Sequence, residues 1–236
     1  MKKSSRILAG LAFLGLLIFL VVPNQEFYET LFPLRENTEI VVYDDQADGG
    51  NSVAQMTLLD SSLVLECKLN ANTGRDAWCG LIWTFTHEKE YHYQNWTFVD
   101  SLILETETMG ISEILIKVWT YDPDVTLETD KKTFRLLIKE VPLKEGQKRI
   151  AIPFESFYTP DYWYTQTKTN RNLTKRHQET VAKVEITPGW HTPRDSVFRI
   201  SIRNFSAKGV SNVPFGILLA YLTILMMAAI GLRQKK

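Results

Sequence analysis

A chain of 236 residues, 44% of them apolar, is sized for one domain or at most two and is too apolar to stay disordered. Its 27 Lys+Arg balance 27 Asp+Glu, but the zero net charge hides a segregation. Residues 1–22 carry Lys2, Lys3 and Arg6 with no acid, and residues 213–236 carry Arg233, Lys235 and Lys236 with no acid. The remainder holds 21 bases against 27 acids, a net of −6, which excludes the basic surface a nucleic-acid binder needs.

The first predicted element is Ile7–Val22, 16 apolar residues without a charge. It is short for a bilayer span of about 20 helical residues and slightly long for a signal-peptide core. No A-x-A-like cleavage site closes it, because the run ends Val21-Val22-Pro23-Asn24. We read residues 1–23 as an uncleaved transmembrane anchor, the alternative being a signal that is removed. Residues 24–37 then serve as a linker.

From residue 38 to 207 the pattern is that of β-strands. Runs of β-branched and aromatic residues recur between turn signals. Candidate strands are Glu39–Tyr43, Val53–Leu59, Leu63–Leu69, Trp78–Thr86, Ser101–Thr106, Glu113–Tyr121, Thr133–Lys139, Lys148–Ile152, Val181–Thr187 and Ser196–Asn204. Several alternate cleanly. Ile114, Ile116 and Val118 oppose Leu115, Lys117, Trp119 and Tyr121, and Phe198, Ile200 and Ile202 oppose Arg199, Ser201 and Arg203. One apolar face per strand marks an antiparallel sandwich, and about ten strands fit a jelly roll better than an immunoglobulin-like domain. The fold class expected is all-β.

Cys67 and Cys79, the only cysteines, flank Asn70–Ala77, a stretch of turn formers. A hairpin centred near Thr73 sets them opposite each other, where an oxidising compartment allows a cross-strand disulfide. The alternative is two small buried residues of a strand pair. Tyr158–Thr180 is the least regular stretch and reads as a long loop, functional or mobile.

Ser206–Asn212 forms a short second linker, and Val213–Leu232 gives 20 uncharged residues, a full span. Residues 233–236 are a basic tail. Both hydrophobic runs carry their bases on the outer side, so the positive-inside rule places both termini in the cytoplasm and the acidic body outside it. The expectation is a membrane protein with two spans and an extracytoplasmic domain between them.

The order of landmarks resembles the galactose-binding-like jelly rolls of bacterial carbohydrate-binding modules, in the group that includes complex I intermediate-associated protein 30 domains. Three stretches carry the resemblance: Val42-Tyr43-Asp44-Asp45 followed by Asp48-Gly49-Gly50-Asn51-Ser52, Asn95–Glu105, and Gly146–Trp163, in which a strand ends Ile-Pro before a Phe, then a Pro and an aromatic. It covers roughly residues 40–207. It implies a glycan ligand, and the flanking helices resemble those around bacterial receptor input domains.

Sugar recognition needs aromatic platforms and hydrogen-bonding groups together. Trp119 and Tyr121 fall on the wet face of their strand, with Lys117, Arg135 and Arg203 as candidates to bond hydroxyls and Tyr162 and Trp163 as further platforms. Against this, large aromatics often plug the ends of a sandwich. Asp44, Asp45 and Asp48 offer oxygen ligands for a structural calcium, which the resemblance favours, while Asp48-Gly49-Gly50 also reads simply as a turn. No G-x-S-x-G, H-E-x-x-H or P-loop is present, so we expect no enzyme and no required cofactor. The function expected is a membrane-anchored, extracytoplasmic, carbohydrate-recognising module acting as sensory input or surface binder. The competing reading is a structural or assembly protein that docks the sandwich on another envelope protein, and a signalling or assembly partner fits either.

Overall fold

The computed structural model describes residues 3–21, 26–36, 38–70, 77–87, 90–144, 146–211 and 213–234. Two compact units form. One is helical, built from α1 (Lys3–Val21) and α3 (Val213–Gln234). The other, Tyr28–Lys208, is a β-sandwich carrying a single short helix, α2 (Asp161–Thr167).

The strands are β1 (Glu26–Phe32), β2 (Thr38–Asp44), β3 (Val53–Leu59), β4 (Ser62–Lys68), β5 (Cys79–His87), β6 (Glu90–Tyr91), β7 (Val99–Met109), β8 (Glu113–Thr120), β9 (Arg135–Pro142), β10 (Arg149–Pro153), β11 (Val181–Pro188) and β12 (Val197–Val210). The first sheet runs β10-β7-β12-β4-β3, with β1 also paired to β12. The second runs β2-β5-β11-β8-β9, with β6 on β5. All ten strands expected from the sequence are there. The two linkers are not linkers: residues 24–37 supply β1, and β12 continues to Val210 through most of 206–212.

Alternation builds the core. Ala182, Val184 and Ile186 of β11 and Ile114, Ile116 and Val118 of β8 are all buried. So are Leu63 and Leu65 of β4, in register with Ile202 and Ile200 of β12, and Leu102 and Leu104 of β7. Each such Val, Leu or Ile side chain contributes roughly 1.5–3 kcal/mol on burial, most of which offsets chain entropy. Aromatic pairs set the geometry between layers: Trp83 meets Phe205 edge-on at 5.3 Å, and Trp96, fully buried, meets Phe85 at 6.1 Å while donating to Glu29 of β1 at 2.9 Å.

The disulfide between Cys67 and Cys79 is formed, but not across a hairpin. Cys67 lies in β4, whose partners are β3 and β12, and Cys79 opens β5, whose partners include β2 and β11. The bond therefore joins the two sheets. The chain turns after β4 into the opposite layer rather than back along its own.

The long stretch 158–180 is no free loop. Arg176 donates to the carbonyls of Phe154 and Glu155 at 3.0 and 2.8 Å, and Thr120 donates to the carbonyl of Arg176 at 2.8 Å. Arg135 donates to the carbonyl of Leu173 at 2.9 Å. Of the two apolar ends, α3 holds a 19-residue stretch, Val213–Gly231, long and apolar enough to cross a membrane. The apolar part of α1, Ile7–Val21, is shorter than a full span, so length and composition support one spanning helix where the sequence led us to expect two.

Candidate binding cleft

The outer face of the second sheet carries the polar chemistry. The registers of β11 with β8 and β5, and of β5 with β2, put Glu185, Lys117, Trp119 and Tyr43 on that face. Glu185 is buried there, although it projects from the side a sandwich normally leaves wet. It accepts hydrogen bonds from Lys117 Nζ at 2.6 Å, from Trp119 Nε1 at 3.0 Å and from Tyr43 Oη. Burial, with the Glu185 charge beside it, pushes the Tyr43 phenol well up. One alternation step along β11, Lys183 lies over the rings of Tyr91 and Phe134 at 5.1 and 5.4 Å. Burial, reinforced by Lys131, brings its amine down to about 8.

Helix α2 packs on the same face of the sheet. Pro160 stands at its N-cap, where an extended backbone is required, and Asp161 sits in the first turn. Trp163 drops onto Leu115, Leu136 and Ile138, forming a second small core outside the sheet. Its indole donates to the carbonyl of Phe134 at 2.6 Å, and the Arg135 guanidinium covers its ring at 4.7 Å. Tyr162, the neighbouring residue on the helix, is left 45% exposed.

Two more aromatics rise beside it. Tyr158 is held by backbone bonds to Ile138, N–H to O and O to N–H, at 3.0 and 2.8 Å. Trp190 follows β11 in a Pro-Gly-Trp turn in which the Gly189 amide donates to the carbonyl of Glu113 at 2.9 Å. A Cβ at Gly189 would lie 2.1 Å from Glu113 Oε1, so any larger residue there would have to displace the Glu113 side chain. Tyr158 Oη and Trp190 Nε1 both donate to Glu140 Oε1, at 2.6 and 3.2 Å. One carboxylate thus fixes two rings from different segments. Between Tyr158, Tyr162 and Trp190, with Ile138 behind and Asp161 at the rim, opens a cleft of about 430 Å³.

At neutral pH the cleft presents neutral phenols and an anion. Burial raises Tyr158 to about 12, with Glu140 adding to it, and burial raises Tyr162 to about 12, with Glu185 adding to it. Glu140 moves the other way. Burial alone would raise it, but the hydrogen bonds from Tyr158, a backbone amide and Trp190, with the charge of Lys139, hold it below the usual carboxylate range. Exposed ring faces beside fixed hydrogen-bonding oxygens suit a ligand with apolar C–H faces and a polar rim.

The residues singled out from the sequence divide. Tyr162 lines the cleft. Trp119 and Lys117 sit on the same sheet face, both committed to Glu185. Tyr121 packs 5.4 Å from Tyr93, which stacks on Tyr91. Trp163 and Arg135 are corrections: both are buried, Trp163 in the outer core and Arg135 in a pair with Asp122, so neither presents a surface to a ligand. Arg203 belongs to β12 in the other sheet, where it pairs with Glu107 at 2.7 Å. Sequence reasoning passed over Trp190, whose signal was an aromatic placed directly after a Pro-Gly turn.

The acidic cluster also resolves differently from its reading as a calcium site. Asp45 is fully buried, and its oxygens accept from the Ser52 amide at 2.8 Å, the Ser52 hydroxyl at 2.7 Å and the Trp78 amide at 3.2 Å. Asp44 accepts from the amides of Gln46 and Ala54 at 3.1 and 3.2 Å. A Cβ on Gly50 would lie 2.2 Å from the Asp45 carboxylate. These carboxylates organise a turn against N–H donors and do not fit calcium, which takes six or more oxygens. Among the described residues, no group of three or more His, Cys, Asp or Glu is placed to hold a metal.

No family model and no curated protein sequence matches the chain. Solved structures do. The family 11 carbohydrate-binding module from Clostridium thermocellum, in complex with a beta-1,3-1,4-mixed-linked tetrasaccharide, superposes with a TM-score of 0.52 at 10% identity, covering 79% of this chain and 96% of that one. The family 11 module of the Clostridium thermocellum cellulosomal cellulase Lic26A-Cel5E gives 0.51 at 10% identity, covering 80% and 96%. This chain shares the jelly-roll sandwich of those modules.

Proposed function

We propose that the sandwich is a glycan-binding module held at a membrane surface, and that it binds its ligand without transforming it. The observation carrying this reading is the cleft, where Tyr158, Tyr162 and Trp190 stand exposed around a carboxylate-fixed frame. Such rings have large apolar faces and little rotamer entropy to lose, which suits stacking on a pyranose. The shared fold with modules of which one is in complex with a beta-1,3-1,4-mixed-linked tetrasaccharide makes that tetrasaccharide the first ligand to try.

The tether is α3, whose 19-residue apolar stretch matches the hydrocarbon core of a bilayer. The segregated bases and the disulfide support a bacterial inner membrane with the acidic sandwich in the oxidising periplasm. There the module serves as a surface binder or as the sensory input of a membrane partner.

The test is calorimetric titration of the full chain in detergent with the beta-1,3-1,4-mixed-linked tetrasaccharide and a panel of neutral oligosaccharides. Saturable heat that is lost in Trp190→Ala supports the reading. No heat at millimolar sugar, with capture of a stoichiometric envelope protein instead, overturns it in favour of an assembly role.

A further inference from the structure

The helical unit contains a seam. Along α1 the least exposed residues are Leu8, Ala12, Gly15 and Phe19, in steps of four, three and four. Along α3 they include Pro214, Leu218, Tyr221 and Leu225, in the same steps. A repeat of three and four is the mark of two helices packed along their length. The contacts fill it in. The rings of Phe19 and Phe215 lie 6.3 Å apart, and Tyr221 Oη donates to the carbonyl of Leu11 at 3.0 Å. Gly15 lies beneath the Tyr221 ring, where a Cβ would come within 2.5 Å of Cε1. Residue 19 meets 215 while 11 and 15 meet 221, so the helices are antiparallel. The Lys3 and Arg6 end of α1 lies toward the Arg233 end of α3.

We infer that α1 is the resident partner of α3 in the bilayer, so that the chain is held by a two-helix hairpin with both basic ends on one side. This rests on the membrane reading above. Two features of the pair carry it. The first is the socket: a glycine at position 15 and the main-chain acceptor at Leu11 fit a tyrosine on α3, and a leader that is cut away has no use for either. The second is the outward surface. Phe13, Leu20, Ile217 and Ile224 all face away from the seam and are exposed, so the hairpin is apolar all round. Such a pair is stable where lipid covers it. The apolar part of α1 is short of a full span by roughly a turn and a half, a mismatch that local thinning of the bilayer absorbs.

The experiment uses the full chain in bacterial inner membranes. A Phe19→Cys, Phe215→Cys double variant is oxidised, digested and read by mass spectrometry, beside a Phe13→Cys, Met227→Cys control whose positions both face outward. The inference expects a cross-link within one chain for the first pair, none for the second, and an intact mass near 27.2 kDa. Gly15→Leu, which keeps α1 apolar, should cut the cross-link about ten-fold, the response to a clash worth about 1.4 kcal/mol. A mature chain beginning after Val21 overturns the inference, as does a cross-link between two chains or one unaffected by Gly15→Leu. If the chain is membrane-bound but trimmed, only this inference fails. If it is absent from the membrane fraction, the tether reading fails with it.

Discussion

Replacing Arg135 by Met should destabilise the sandwich strongly, and replacing its partner as well should restore much of the loss. Arg135 and Asp122 are each about 1% exposed at the side chain, and Nε and Nη2 both reach Asp122 Oδ2, at 2.9 and 2.6 Å. Methionine keeps the apolar stem but removes both bonds, the bond to the Leu173 carbonyl and the cation over Trp163. It leaves the Asp122 carboxyl in the interior without its cation, with only the Asp124 amide at 3.0 Å and His177 Nε2 at 3.6 Å beside its other oxygen. Breaking one side of a buried pair costs about 3–5 kcal/mol. At 2–4 °C per kcal/mol for a domain of this size, Tm falls by roughly 6–20 °C. In Arg135→Met, Asp122→Leu the stranded carboxyl is gone and most of that fall should be recovered. The assay is near-ultraviolet circular dichroism on heating the full chain in detergent, which follows the aromatic-rich sandwich. A single variant costing under about 1 kcal/mol, or a double variant no better than the single, refutes the account.

Other outcomes follow from the same structure. Trp190→Ala should weaken glycan binding about ten-fold, near the upper range for an aromatic contact, with Tm nearly unchanged because the ring is 57% exposed. Glu140→Gln keeps an oxygen that can accept from Tyr158 and Trp190 and should bind nearly as well as the parent, whereas Glu140→Ala frees both rings and should bind several-fold less tightly, as titration calorimetry would show. Lys183 is brought down to about 8 from 10.5, so between those values the unfolded chain holds a proton that the folded chain has lost. Stability should therefore rise with pH above about 8 in urea titrations, and Lys183→Met should flatten the slope. Breaking the Cys67–Cys79 bond, which spans 12 residues, should cost about 3 kcal/mol on the loop-entropy relation, measured as a lower urea midpoint for the double Cys→Ala variant.

The strands were legible because a period of two is local: Ile114, Ile116 and Val118 declare a buried face whatever lies across from it. What stayed hidden depends on the layer into which the chain turns. Cys67 and Cys79 looked like hairpin partners because sequence offers only the nearest pairing, whereas β4 and β5 belong to different sheets. Arg135 reads from the sequence as a candidate to bond ligand hydroxyls, yet it is in register with buried Thr120 and turns inward to Asp122, a partner 13 positions away. Trp163 and Tyr162 are neighbours with opposite fates, one buried and one exposed, and only the placement of α2 over Leu115 and Leu136 decides which. Trp190 stands at the cleft because β11 ends where Glu140 can reach it, a coincidence of two strands not adjacent in the sheet.

The pairing of β1 with β12 sets the first and last strands of the sandwich side by side in one layer. A body whose entry and exit are neighbours is portable. It can be spliced as a cassette between two nearby points of a host polypeptide, closing only a short gap and leaving the host's own path almost undisturbed.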